Sequence, residues 1–312
     1  MSRLTKILFI IIGVLFFAGI SIGIYFFYKS KSFSSNLTTS PSTTQKSNNV
    51  AQDPNGPYYH KIYLATSSDG LTWQKQEKIL FDHASVPGAV IRDGIIYLYF
   101  VDASGGAQVT VAISKDLGKS FDKHAIVIKD TTLPPVDPNP VLLENGKIRL
   151  YYFASPVTAG DPAAASGSHK IMSAESSDGI NFESPREVFA EENITDPDVF
   201  KTSKDWRLFI SKGTALDLAV SSDDGITFQK QNDFSWNNGG VSGTANINGT
   251  LRTYYCGQGG IGSATGAETG KLTAESGTRI EEPNKIVCDP SVIELPDKTF
   301  LMFYKVQELT QK

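Results

Sequence analysis

Three Asp-Pro pairs, at Asp137, Asp196 and Asp289, each open a short β-rich stretch that turns on Asp, Asn, Gly or Pro. Carboxylates gathered from distant points of a chain can do acid–base work. When ionised they repel, and burial with proximity raises at least one pKa, so that like groups divide into an acid and a base. Glycoside hydrolysis uses such a pair, about 5–5.5 Å apart for retention of configuration and about 6.5–9.5 Å for inversion. The plainer role for an Asp before Pro at a strand start is to cap the entering loop through an Asx-type bond. The fold decides between the two, by gathering these residues or scattering them.

The Asp-Pro pairs sit in a repeat. Five hairpin units begin at Val86, Asp137, Asp196, Ser242 and Asp289, each with two β-rich runs around a polar turn. Aligned on their first strands, they place Pro87, Asp137, Asp196, Ser242 and Asp289 in one column. A second hairpin interleaves with the first: ATSSDGLTW ending at Trp73, AISKDLGKSF at Phe121, AESSDGINF at Phe182, AVSSDDGITF at Phe228, and an eroded AESGTRI at Ile280. In that turn the Asp accepts backbone N–H groups, Gly supplies positive φ and the aromatic packs the returning strand, so its Asp reads as structural.

Self-similarity over several tens of residues marks a repeat architecture, and two hairpins make one four-stranded blade. The first turn motif precedes the first inner hairpin, and the last inner hairpin, from Asp289 to Tyr304, has no turn motif after it. The N-terminal strands therefore complete the last blade and remove two exposed sheet edges. The expected fold is all-β, a five-bladed β-propeller over residues 57–312 with both chain ends in one blade. Its apolar residues should lie in layers between blades.

In such a ring the starts of the innermost strands share one face with the loops leaving the second strands. This register puts His83, Asp102 and Lys212 on that face as candidate substrate contacts, with Ser242 and Asp289 in the column. The loop at 155–168 is long enough to wall one side of a cleft. No Glu occupies the column. Glu268, in the Gly-rich segment 257–270, is the expected proton donor because that segment leaves a second strand on the same face; Glu191 and Glu192, just before Asp196, come next. Arg149, Arg207 and Arg252 form another column at the opposite end, where packing is the expected role.

The chain resembles the superfamily of five-bladed propeller glycosidases that includes arabinanases, β-xylosidases, levansucrases and invertases, through its repeat and the Asp-Pro pairs at Asp137, Asp196 and Asp289. The resemblance implies channel-mouth acids acting as base or nucleophile, as a pKa-modulating or transition-state-binding Asp, and as a Glu acid. Asp137 and Asp196 would be the main catalytic carboxylates, Asp289 a third acidic contact and Glu268 a substitute donor. The S-x-D-x-G-x-[ST]-[FW] spacing from Ser114 to Phe121 and from Ser221 to Phe228 also resembles the Asp-box of sialidases. Those enzymes need an arginine cluster for the sugar carboxylate, and the arginine column here lies at the wrong end. A carbohydrate-binding or adhesion propeller without catalysis, which needs no proton donor, is the alternative on the same architecture.

The remainder of the chain bounds the setting. Its 312 residues carry a formal net charge of −4 and no basic run within the repeat, which argues against nucleic acid as a partner; the partner that the resemblance implies is an oligosaccharide or polysaccharide. Residues 7–28 are uncharged and almost wholly apolar, long enough for a membrane-spanning helix of about 1.5 Å per residue across roughly 30 Å. Residues 1–6 form a short tail before it, and 29–56, rich in Ser, Thr, Asn and Gln, a flexible stalk. The expected placement is single-pass, with the propeller extracytoplasmic. Neither the two Cys nor the four His show zinc-ligand spacing, and no metal or cofactor is expected. Cys256 and Cys288 fall on one face of neighbouring blades, where a disulfide would suit an oxidising compartment; spacing alone does not decide it.

Overall fold

A computed structural model of the chain describes residues 56–105, 108–131, 134–154 and 169–309. The expected anchor at 7–28, the stalk up to residue 55 and the loop at 155–168 lie outside them. Among the described residues the sole helix is a single 3₁₀ turn, Pro57–Tyr59, and no helix is long and apolar enough to cross a membrane.

Five sheets form the ring, antiparallel within each blade, with the short strand Val127–Ile128 joining the second in parallel beside Asn181 and Phe182. From the inside outward, the first blade runs Ala84–Arg92, Ile95–Asp102, Gln108–Ser114 and Asp122–Ala125. The second is Val136–Leu142, Ile148–Ala154, His169–Ser176 and Asn181–Glu191, the third Thr195–Lys201, Trp206–Lys212, Ala215–Ser221 and Gln229–Lys230. The fourth is Gly240–Ile247, Thr250–Gly257, Gly260–Thr265 and Thr273–Ala274. The fifth takes its inner strands, Lys285–Glu294 and Phe300–Glu308, from the C-terminus and its outer strands, His60–Ser67 and Gln74–Lys75, from the N-terminus. The closing seam is continuous, from His60 opposite Gln307 to Ser67 opposite Phe300.

The second strand of each blade explains why the ring is stable. Ile96 to Val101 are all buried, as are Ile148 to Ala154 and Phe300 to Gln307, because a blade between two neighbours is covered on both faces and its strands read as unbroken apolar runs. Five apolar clusters result, one at each blade interface, as the distribution of apolar residues implied. At three interfaces a buried tyrosine adds a polar tie: Tyr99, Tyr151 and Tyr254 donate their hydroxyls to the carbonyls of Gly179, Gly225 and Gly70 at 2.8, 2.9 and 2.7 Å. Each acceptor is a positive-φ glycine in the next blade's turn motif.

One repeat assignment needs correction. In the fourth blade the turn equivalent to the others is 266–272, where Gly266 and Gly270 take φ of +98° and +70°, and not AESGTRI, which follows the outermost strand. The Gly-rich segment 257–270 is likewise no single loop, since it contains the strand Gly260–Thr265. Its glycines answer to packing: a Cβ on Gly262 would lie 2.7 Å from the ring of Tyr255.

Candidate functional site at the channel mouth

Every innermost strand bulges once near its start, and the residue there is left-handed: Val86, Asp137, Asp196, Val241 and Asp289 have φ between 47° and 53°. A bulge sets two residues against one and re-aims the side chain. For β-branched Val86 and Val241 this conformation is costly and must be held by surrounding structure. The observed column is therefore Val86, Asp137, Asp196, Val241 and Asp289; Pro87 and Ser242 stand one place further along, because counting along a strand cannot register an inserted residue.

Two residues beyond each bulge the blades are tied to one another around the axis. Asn139 Oδ1 accepts from Val199 N–H, Asp198 Oδ1 from Thr244 N–H and Ser291 Oγ from Ala89 N–H, each at 2.9 Å. At the remaining two interfaces the position is Gly88 or Gly243, and a Cβ there would meet the carbonyl oxygen of Pro138 or Pro290 at 2.1 or 2.0 Å. This tight ring encloses a cavity of about 80 Å³ whose polar lining includes Asp137, Asp196, Asp198, Ser242 and Asp289.

The acids at the mouth are strongly perturbed. Burial, then the neighbouring charges of Asp196 and Asp289, push the Asp137 carboxyl well above the usual carboxylate range. Burial and the Asp289 charge raise Asp196 to about 6. The two are adjacent: Asp196 N–H donates to Asp137 Oδ2 at 3.4 Å. Asp198, 1 % exposed, is also raised by burial, against hydrogen bonds from Thr244 N–H and from the hydroxyls of Thr244 and Ser242. Asp289 is buried beside the ammonium of Lys305, 2.8 Å away in a charge contact without hydrogen-bond alignment. Asp198 and Lys305 are absent from the sequence-based candidates. An Asp two places after an Asp-Pro bulge, and a Lys within the apolar run FLMFYKV, are the signals that mark them.

The other candidates fall elsewhere. His83 Nδ1 lies 2.6 Å from the Tyr58 carbonyl and its ring stacks on Tyr58, three residues before Val86 and outside the cavity lining. Asp102 is held by Lys123 at 2.7 Å and by Ser104, and Lys212 by Glu191 at 2.6 Å. Glu191 is further bound by Lys230, while Glu192 is exposed. Glu268 lies on the far face, where it accepts from Ser203 N–H at 3.0 Å and from the Ser203 hydroxyl, in the turn between the inner strands of the third blade. It is not at the mouth, because the intervening strand Gly260–Thr265 carries the chain across the ring. The arginines pack as expected: Arg149 binds Glu175, Arg252 binds Glu275, and Arg207 donates to the Ala267 carbonyl of the next blade. Cys256 and Cys288 form a disulfide joining the fourth and fifth blades beside Asp289, so the sulfurs of that Cys–Cys–Asp group are not free to hold a metal.

No family model and no curated protein sequence matches the chain. Solved structures do. A thermostable family-43 glycoside hydrolase shares 14 % identity, with a TM-score of 0.55 over 73 % of this chain and 89 % of its own. RS223 β-xylosidase shares 14 % identity, with a TM-score of 0.54 over 74 % of this chain and 89 % of its own. The endo-arabinase of Bacteroides thetaiotaomicron VPI-5482 shares 15 % identity, with a TM-score of 0.52 over 72 % and 87 %. Likeness at this level of identity concerns the fold: the chain shares the five-bladed propeller architecture of these glycoside hydrolases.

Proposed function

We propose that this protein is a glycan-active propeller and that it hydrolyses glycosidic bonds with Asp137 and Asp196. One observation carries the reading: Asp137 and Asp196 line the channel mouth side by side, Asp196 N–H reaching Asp137 Oδ2, and both carboxyls are raised, Asp137 well above the usual range and Asp196 to about 6. Burial and its charged neighbours favour the protonated form of Asp137, which suits it to the acid's part, while Asp196, at about 6, is largely ionised near neutral pH. In hydrolysis the Asp137 hydroxyl would pass its proton to the leaving-group oxygen as the C–O bond breaks. The Asp196 carboxylate would attack the anomeric carbon or take the proton of an attacking water. The fold's likeness to a β-xylosidase and an endo-arabinase supports a pentose-containing oligosaccharide or polysaccharide as the first substrate class to try.

The propeller is placed outside the cytoplasm, held by a single-pass anchor at residues 7–28. The apolar run in the sequence and the Cys256–Cys288 disulfide, which favours an oxidising compartment, support this placement. Protease accessibility of the propeller on intact cells tests it; a propeller degraded only after lysis would overturn it.

A second reading, a carbohydrate-binding propeller without turnover, is favoured by Val86 and Val241, which leave two column positions without a polar group. Hydrolysis assays and binding isotherms on arabinan- and xylan-derived oligosaccharides, with the parent protein and with Asp137→Asn and Asp196→Asn, separate the two. Loss of turnover with binding retained supports the enzyme. Binding without turnover in the parent protein supports the second reading, and neither activity on any glycan refutes both.

A further inference from the structure

The residue facing the one that precedes each bulge is, from the first blade to the fifth, Val101, Phe153, Ser211, Cys256 and Lys305. The fifth blade alone puts a charge there. Lys305 is 5 % exposed and shares its strand face with Leu301 and Phe303, which pack toward the first blade, so it is a lysine inside an apolar interface. A buried ammonium is expensive unless paired. Its partner, Asp289 at 2.8 Å, is itself 4 % exposed and sits in the ring with Asp137 and Asp196. The partner is fixed as well: the adjacent Cys288 is bridged to the fourth blade, and Asp289 N–H points to Cys256 Sγ at 3.2 Å.

We propose that Lys305 is a positioning residue for the mouth: its ammonium neutralises Asp289, so that the Asp137–Asp196 pair faces a neutral ion pair and not a third free carboxylate. Asp289 thereby serves as an internal counter-charge more than as a sugar contact. The charges within electrostatic reach of Lys305 are Asp289 on its own sheet and Asp137 and Asp196 across the channel. On the adjoining strand, His60 stands opposite Gln307, two places from Lys305, with Nδ1 2.8 Å from Ser85 Oγ.

The inference takes the Asp137–Asp196 pair from the proposed function, but its test requires no turnover. Carboxyl signals of ¹³C-labelled Asp are titrated by NMR in the full chain, with Asp137→Asn and Asp196→Asn used to assign them. Lys305→Met should raise the apparent pKa of Asp196 by about one unit or more, since an unneutralised Asp289 adds a like charge. Asp289→Asn should move it the other way by a similar amount, leaving the ammonium unopposed, and Lys305→Arg should stay within about 0.3 of the parent. A Lys305→Met protein that unfolds cooperatively yet titrates like the parent would overturn the assignment. If Lys305→Met does not fold, the double variant Lys305→Met/Asp289→Asn decides: removing both charges of a neutral pair should leave the Asp196 titration within about 0.3 of the parent, and a clear downward shift, the mark of a carboxylate that was not neutralised, refutes the role. Should the protein prove inactive on every glycan, these titrations still stand or fall independently.

Discussion

The two faces of this propeller use aspartate in opposite ways. On the turn face Asp69, Asp116 and Asp223 are held at about 2, chiefly by the Thr72 N–H, the Ser120 hydroxyl and the Ser221 hydroxyl respectively. At Asp178 burial works upward and is outweighed by hydrogen bonds led by those from Asn181. At the mouth Asp137 and Asp196 are raised, first by burial and then by neighbouring carboxylates, Asp196 and Asp289 for Asp137 and Asp289 for Asp196. The residue type is the same, and the difference lies in what each turn of backbone offers. A tight turn aims several N–H and O–H groups at one carboxylate, whereas a bulge aims the carboxylate at its neighbours.

The contrast is broken most severely at the level of chemistry. Asp137→Asn or Asp196→Asn should lower kcat by roughly 10²–10⁴-fold, while Asp223→Ala leaves kcat unchanged, as steady-state assays on the best substrate would record. The parent's acid limb should fall near pH 6, where Asp196 gains its proton.

Stability should then move in opposite senses. Asp196 has a folded pKa of about 6, above its ordinary 3.8, so its protonated form suits the fold. That contribution is complete below pH 3.8 and is lost as pH rises through 6. Asp196→Asn should therefore stabilise the protein by about 3 kcal/mol at pH 7 and by little at pH 4, read from urea unfolding at both values. Asp223 has the reverse sign: its contribution is present above pH 3.8 and disappears as pH falls through about 2. Asp223→Ala should cost about 1 kcal/mol at pH 7. An equal pH response in both variants would mean that the two faces do not differ in the way described.

The smallest test concerns how the faces communicate. Tyr151→Phe removes one tie between the second and third blades and should cost about 1 kcal/mol, with binding at the mouth unaltered. A change in kcat or glycan affinity would show that the interface tilts the ring.

The blade repeat, the closing seam and the three mouth aspartates were all legible in the sequence, because hairpin turns and Asp-Pro starts leave strong local marks. The off-by-one placement of Pro87 and Ser242 was not, since a bulge changes which side chain faces the axis without changing composition. Glu268 was misplaced because GIGSAT, a strand whose glycine accommodates Tyr255, has the composition of a loop. Lys305 carries no such mark, because a lone lysine in an apolar strand acquires meaning only against the equivalent positions of the other four second strands.

The seam at His60–Ser67 has a bearing on how this molecule comes into being. A chain emerging from its amino end can stack four blades early, but its first strand must wait, with an unpaired edge open to any competing strand, until Phe300–Glu308 has been made. Until that moment Asp289 and Lys305 have no ring to enter, so any premature stop within the last blade would yield a stacked, sticky horseshoe whose mouth is never completed.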